Sequence, residues 1–203
     1  MNRRTELLVA TNNAGKVREL SQLLAGLPLR LRLLSEFPEV PEAEETGTTF
    51  AENATLKAMH YSSSTGLLTL SDDSGLSVDA LGGAPGVYSA RYGGRHATYA
   101  ERMARLLDEF GAAGGGGERR ARFVCVIADA EPSAGTLETF EGTCEGRIAH
   151  APRGAGGFGY DPVFIPDGHD ETFGELPEHV KHALSHRARA LARAAQYLRS
   201  HFA

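Results

Sequence analysis

A short apolar run, Leu67–Leu70, leads within two residues to adjacent carboxylates, Asp72 and Asp73, followed by Ser74-Gly75. Apolar residues of this kind suit a buried strand. A turn directly after it sets the acids at the rigid edge of a sheet, where open α/β folds commonly place their chemistry. Side-by-side carboxylates repel unless a cation or a shared proton relieves them, and a divalent metal is the simplest relief. The plainer alternative is an Asx-type turn closing the strand. A second turn-rich block, Gly82-Gly83-Ala84-Pro85-Gly86, follows at once.

Around this feature the pattern alternates strand and helix. Glu6 to Thr11 reads as a buried strand, and Asn12 to Lys16 as a polar turn. Val17, Leu20, Leu23, Leu24 and Leu27 then recur at helical spacing. Leu29 to Leu34 is a second strand, and Glu36 to Thr46 an acidic, proline-bearing loop. Thr49 to Ser62 is a helix that Glu52 supports through a capping box. Ala97 to Phe110 is a further helix, and Gly111 to Gly117 a solvent loop. Ala121 to Ala128 and Thr136 to Ile148 form a long hairpin. A short Pro162 to Ile165 strand follows, and from Pro177 the chain is helical in two pieces, with Ser185 between them. The order predicts one α/β domain over residues 1–203, with two lobes and a cleft between them. Its 203 residues suffice for one sizeable core.

Composition narrows the function. A net charge of −5 disfavours non-specific nucleic-acid binding. The two cysteines, Cys125 and Cys144, lack metal-ligand spacing, and Cys125 reads as a buried free thiol. No apolar run approaches a membrane span, and the basic start is not a secretory signal, so a cytoplasmic protein is expected.

Four segments carry polar residues that local structure does not require. Thr11, Asn13 and Lys16 lie at a strand–helix junction, where backbone N–H groups and the helix dipole favour an anion. It is not a Walker loop, since the glycine pattern and Lys-Ser/Thr ending are absent. Glu42, Glu44 and Glu45 precede Thr46-Gly47, and a loop acid joining Asp72 and Asp73 would make an oxygen-rich magnesium site. Lys57 lies one helical face along from Asn53 and either points at that site or pairs with a surface acid. Phe158, Gly159, Tyr160 and Asp161 can form an aromatic clamp on a flat ring, or simply a glycine loop with core aromatics. Lys181, His186 and Arg187 make a basic face whose planar fork suits a carbonyl or phosphate, although a lone histidine there also reads as partly buried structure. No histidine pair has zinc spacing. Together these segments describe a nucleoside triphosphate pocket.

The conjunction resembles the inosine triphosphate/XTP pyrophosphatases. The matching blocks are Ala10 to Lys16, Glu45 to Ala54, Asp72 to Leu76, Gly82 to Tyr92, Gly157 to Pro162 and Ser185 to Ala188, in one order over nearly the whole chain. Asn12, where glycine is frequent, and Gly174, where alanine is usual, depart from the pattern. The resemblance implies an elongated two-lobed α/β fold with a long mixed sheet flanked by helices, a central substrate cleft, and a homodimer. It implies that Thr11, Asn13 and Lys16 hold phosphates, with Lys181 helping. Glu45 and Asp73 would bind Mg2+, and Asp73 would be the general base, supported by Lys57 and Asp72. Ser74 would touch substrate, Phe158 to Asp161 would clamp the base, and His186 with Arg187 would face its 6-oxo edge.

The reaction expected is magnesium-assisted hydrolysis of ITP, dITP or XTP to the monophosphate and pyrophosphate. Cationic donors left unpaired against adenine's amino group would discriminate against ATP. The competing expectations are a nucleotide-binding regulator without hydrolysis and an enzyme for pyrimidine or modified nucleotides. A nucleic-acid-binding module fits least.

Overall fold

In the computed structural model, residues 5–113, 118–132 and 137–202 are described. In chain order they form β1 (Glu6–Val9), α1 (Ala14–Leu24), β2 (Arg30–Leu33), α2 (Phe50–Thr65), β3 (Leu68–Val78), α3 (Tyr99–Ala112), β4 (Arg120–Ala130), β5 (Leu137–Ile148), β6 (Phe164–Pro166), α4 (Glu178–Leu184) and α5 (His186–Phe202). The strands make one six-stranded sheet in the order β2-β1-β3-β4-β5-β6. β1 runs parallel to both β2 and β3, with Leu7 opposite Leu31 and Leu68. β5 and β6 are antiparallel. The fold is therefore α/β with a mixed sheet.

The chain divides into two compact units, residues 1–73, 125–142 and 187–203, and residues 74–124 and 143–186. The divisions fall inside β3, β4 and β5 and after the first residue of α5 rather than in the Gly111 to Gly117 run, whose residues 114–117 lie outside the described residues.

In the first unit, strand alternation sorts side chains onto two faces. Leu7, Val9, Leu68, Leu70, Cys125 and Ile127 pack against Leu20 and Leu24 of α1 and Leu191 and Leu198 of α5. Leu8 and Ala10 face Tyr61 of α2, while Val126 and Ala128 meet Ala54 and Ala58 of the same helix. Each fully buried leucine contributes roughly 1.5–3 kcal/mol. Polar residues cap the starts of α1, α2 and α3. Asn13 Oδ1 accepts from the Gly15 and Lys16 amides, and Thr49 with Glu52 forms a reciprocal box at α2. Thr98 with Glu101 does the same at α3. The second unit centres on Leu76 and Val78 of β3, Met103, Leu106 and Phe110 of α3, and the aromatics Phe123, Phe164 and Phe173.

The main departure from the sequence reading is at β3. The strand does not stop at Leu70 before an acidic turn; it continues through Asp72 and Asp73 to Val78. Serine and glycine at positions 74 and 75 do not break it, although its pairing with β1 ends at Leu70.

Candidate active site

Running the strand through the acid pair changes how the two charges are relieved. Asp72 falls on the face of Leu68 and Leu70, toward α1 and α5, and Asp73 on the face of Ser71, whose hydroxyl donates to the Ala54 carbonyl of α2 at 2.6 Å. Each carboxylate has its own cations. Asp72 Oδ2 is 2.9 Å from Lys16 Nζ and 3.3 Å from both Nε and Nη2 of Arg187. The Arg187 fork also grips Glu19 of α1. Asp73 Oδ1 lies 2.9 Å from Lys57 Nζ, which also reaches Glu45 Oε1 at 2.7 Å. The Asn53 amide approaches Asp73 Oδ2 at 3.5 Å. Opposite faces and different nearest cations help the adjacent acids coexist.

The acidic loop is pinned onto α2. The Gly47 amide donates to Asn53 Oδ1 at 2.8 Å, and the Ala43 amide to the Tyr61 hydroxyl at 3.1 Å. A Cβ on Gly47 would stand 2.6 Å from Glu52 Cβ, so only glycine lets the loop lie this close and deliver Glu45 to Lys57. Lys16 is aimed by the first turn of α1, and Thr11 Oγ1 accepts the Asn13 amide at 3.2 Å.

These surroundings split the proton affinities. Burial alone would raise Asp72, but Lys16, Arg187 and Lys57 together hold it well below the usual carboxylate range. For Asp73 burial outweighs Lys57 and Lys16, and its affinity is raised. Burial opposes the charge on Lys57, but Asp73, Asp72 and Glu45 keep it protonated beyond the ordinary lysine range. Cys125, fully buried 4.0 Å from Asp72 Oδ2, is pushed up to about 12 by burial and by that carboxylate.

The second unit holds the other expected residues. Ser74 is half-buried on β3. Asp161 Oδ2 accepts the Phe158 amide at 2.7 Å and Lys181 Nζ at 2.6 Å, and that ammonium lies 4.6 Å from the Phe158 ring centroid. A Cβ on Gly157, which has φ +69°, would collide with Asp161 Oδ2. Tyr160 is 3% exposed and donates to the Ser89 carbonyl at 3.0 Å. His186 stacks on Phe123 at 4.7 Å and 11°.

Thus Thr11, Asn13, Lys16, Glu45, Lys57, Asp72, Asp73 and Arg187 belong to one unit, and Ser74, Phe158 to Asp161, Lys181 and His186 to the other. Arg187 differs most from its expected setting, since its fork already holds two carboxylates. Sequence reasoning missed Glu19. Its signal was a charged residue on the apolar stripe of α1, one position before Leu20, and it is 3% exposed. A cavity of about 1050 Å³ lined by Glu6, Arg30, Leu68 and Glu131 lies at the opposite ends of β1 and β3 and contains none of these side chains.

The donor set suits a hard cation. Glu45 and Asp73 offer carboxylate oxygens gathered on one ammonium, and no group of three Asp, Glu, His or Cys residues able to hold a metal occurs among the described residues. Magnesium is commonly held this sparsely, with water and phosphate completing its shell. Among the described residues, Lys16, Lys57 and Arg187 meet the carboxylates of Glu19, Glu45, Asp72 and Asp73 here.

Comparison with known proteins agrees across nearly the whole length. The Ham1 family model matches residues 7–197. A dITP/XTP pyrophosphatase of Geobacter sulfurreducens is 51% identical over 188 residues, 93% of this chain and 94% of its own. One from Gloeobacter violaceus is 52% identical over 185 residues, 91% of this chain and 90% of its own. The solved structure of a HAM1 protein from Coxiella burnetii superposes with a TM-score of 0.89 at 44% identity, covering 97% of this chain and 99% of that one. The six-stranded mixed sheet, the order of its elements and these matches together establish that the chain belongs to the Ham1 family.

Proposed function

We propose that the protein hydrolyses deaminated purine nucleoside triphosphates (ITP, dITP and XTP) at the bond between the α- and β-phosphates, releasing the monophosphate and pyrophosphate. The observation that carries this is Asp73. It is 7% exposed, its proton affinity is raised, and a lysine shared with Glu45 holds its carboxylate in place. A buried carboxylate whose proton affinity is raised is a stronger base than an ordinary one. Relatives about half identical are named dITP/XTP pyrophosphatase, which supports the same substrate class.

In this mechanism Asp73 accepts a proton from the attacking water as its oxygen bonds to the α-phosphorus. The bond to the bridging oxygen breaks, and its electron pair leaves with pyrophosphate. Lys16, Thr11 and Asn13 at the start of α1 bind the phosphates, where donors and the helix dipole meet negative charge. Lys57 keeps Asp73 oriented, and Asp72 keeps Lys16 in register. Mg2+ held by Glu45 and Asp73 would supply positive charge beside the phosphates. Phe158 to Asp161 clamp the base, Lys181 steadies that loop and assists the phosphates, and Ser74 touches substrate. His186 and Arg187 meet the 6-oxo edge, with Arg187 bridging that role to Asp72 and Glu19. The working form is a homodimer in the cytoplasm.

Pyrophosphate release is to be measured with ITP, dITP, XTP, ATP and GTP, each with magnesium and with EDTA. Fast release from ITP and XTP, slow release from ATP, and loss in EDTA are expected. Equal turnover of ATP and ITP would reject the substrate assignment, and undiminished turnover in EDTA would reject the metal.

A further inference from the structure

Arg102 of α3 is 7% exposed, makes no ion pair among the described residues, and has a buried Nε with no hydrogen-bond partner. A guanidinium cannot shed its charge, so burial of this kind needs another compensation. The compensation on hand is the face of Tyr99, with the guanidinium carbon 4.8 Å from the ring centroid. The edge of Tyr99 in turn meets Tyr160 at 5.7 Å and 87°. Tyr99 also closes over Gly159, whose Cβ, if it had one, would stand 3.6 Å from Tyr99 Cε1. Tyr160 is anchored beyond this by its bond to the Ser89 carbonyl, and the Ser89 hydroxyl accepts the Leu76 amide at 3.0 Å.

We propose that Arg102 and Tyr99 are positioning residues that fix the Phe158–Asp161 loop from behind, and so set affinity for the purine base rather than the rate of phosphate chemistry. Two side-chain pairs bear on the loop, besides backbone bonds such as that from the Gly174 amide to the Asp161 carbonyl at 3.1 Å. Asp161 and Lys181 hold it beside Phe158, and the Arg102–Tyr99 stack holds Gly159 and Tyr160. Loss of the cation frees Tyr99 to rotate, and Gly159, at φ +69°, has no side chain of its own to resist. This inference rests on the proposed substrate class.

The test is steady-state kinetics of the full-length magnesium enzyme on ITP. Arg102→Met keeps the packed stem and removes the charge, Arg102→Lys restores a cation, and Tyr99→Leu removes the ring. Arg102→Met and Tyr99→Leu are each expected to raise KM about three- to tenfold with kcat moving far less. Arg102→Lys should recover much of that loss, and the double variant should be no worse than Tyr99→Leu alone. KM within about twofold of wild type in Arg102→Met, independent losses in the double variant, or equal losses in kcat and KM that Arg102→Lys does not rescue would overturn the proposal. If Arg102→Met does not fold, Arg102→Gln carries the same comparison. Wild-type failure to turn over ITP would instead reject the substrate assignment, so the two failures are distinguishable.

Discussion

Asp72 and Asp73 are neighbours in the chain with oppositely shifted proton affinities: at Asp72 burial is outweighed by Lys16 and Arg187, and at Asp73 burial outweighs Lys57. Asp73→Asn is expected to keep the fold, by circular dichroism, and to lower kcat about 10²–10⁴-fold, the usual contribution of a positioned base. Its raised affinity has a consequence for pH. The basic form exists only above that raised value, so in the metal-free protein Asp73 should take up its proton at a higher pH than an ordinary carboxylate, a step followed by NMR titration that Asp73→Asn should lack. Arg187→Ala should reduce the preference for ITP over ATP, measured as a ratio of kcat/KM. It should also loosen Asp72, since the same fork holds both. The pair itself was legible in the sequence, as were Lys16, Lys57 and Glu45. Which cation serves which acid was not, because the apolar run ends at Leu70 while hydrogen bonding carries the strand eight residues further.

At the level of elements, capping explains why the helix starts were readable. Asn13, Thr49 with Glu52, and Thr98 with Glu101 are local signals that need no tertiary partner. Loop placement depends instead on close approach. Gly47→Ala should displace the Glu45 loop from α2, cost about 1–3 kcal/mol in chemical denaturation, and raise the magnesium concentration needed for half-maximal activity. β4 carries a different liability. Asp129 is 3% exposed, both its carboxylate oxygens lack a hydrogen-bond partner among the described residues, and burial pushes its pKa up to about 8 from an unfolded value near 3.8. Between those values the native state holds a proton that the unfolded chain has released, so stability falls as pH rises through this window and levels off above it. The loss is on the order of a few kcal/mol. Urea melts at pH 5 and pH 8 should show it, and Asp129→Asn should flatten the difference.

For the whole molecule, ligand linkage is the readout that combines the parts. Magnesium with pyrophosphate should raise the melting temperature in proportion to the logarithm of ligand concentration, by an amount that vanishes in EDTA and in Lys16→Ala. No helix among the described residues is long and apolar enough to cross a membrane. Periodicity, caps and turn residues determined the order of strands and helices, because those signals are local and repeat every two or 3.6 residues. They also singled out the segments proposed to carry chemistry, since polar residues without a local task stand out against such a pattern. Only the tertiary structure decided that Glu19 meets Arg187 across 168 positions, that Arg102 spends its charge on Tyr99, and that adjacent acids face apart. Contacts of that kind depend on which faces the sheet presents to which helices, and no spacing along the chain encodes that.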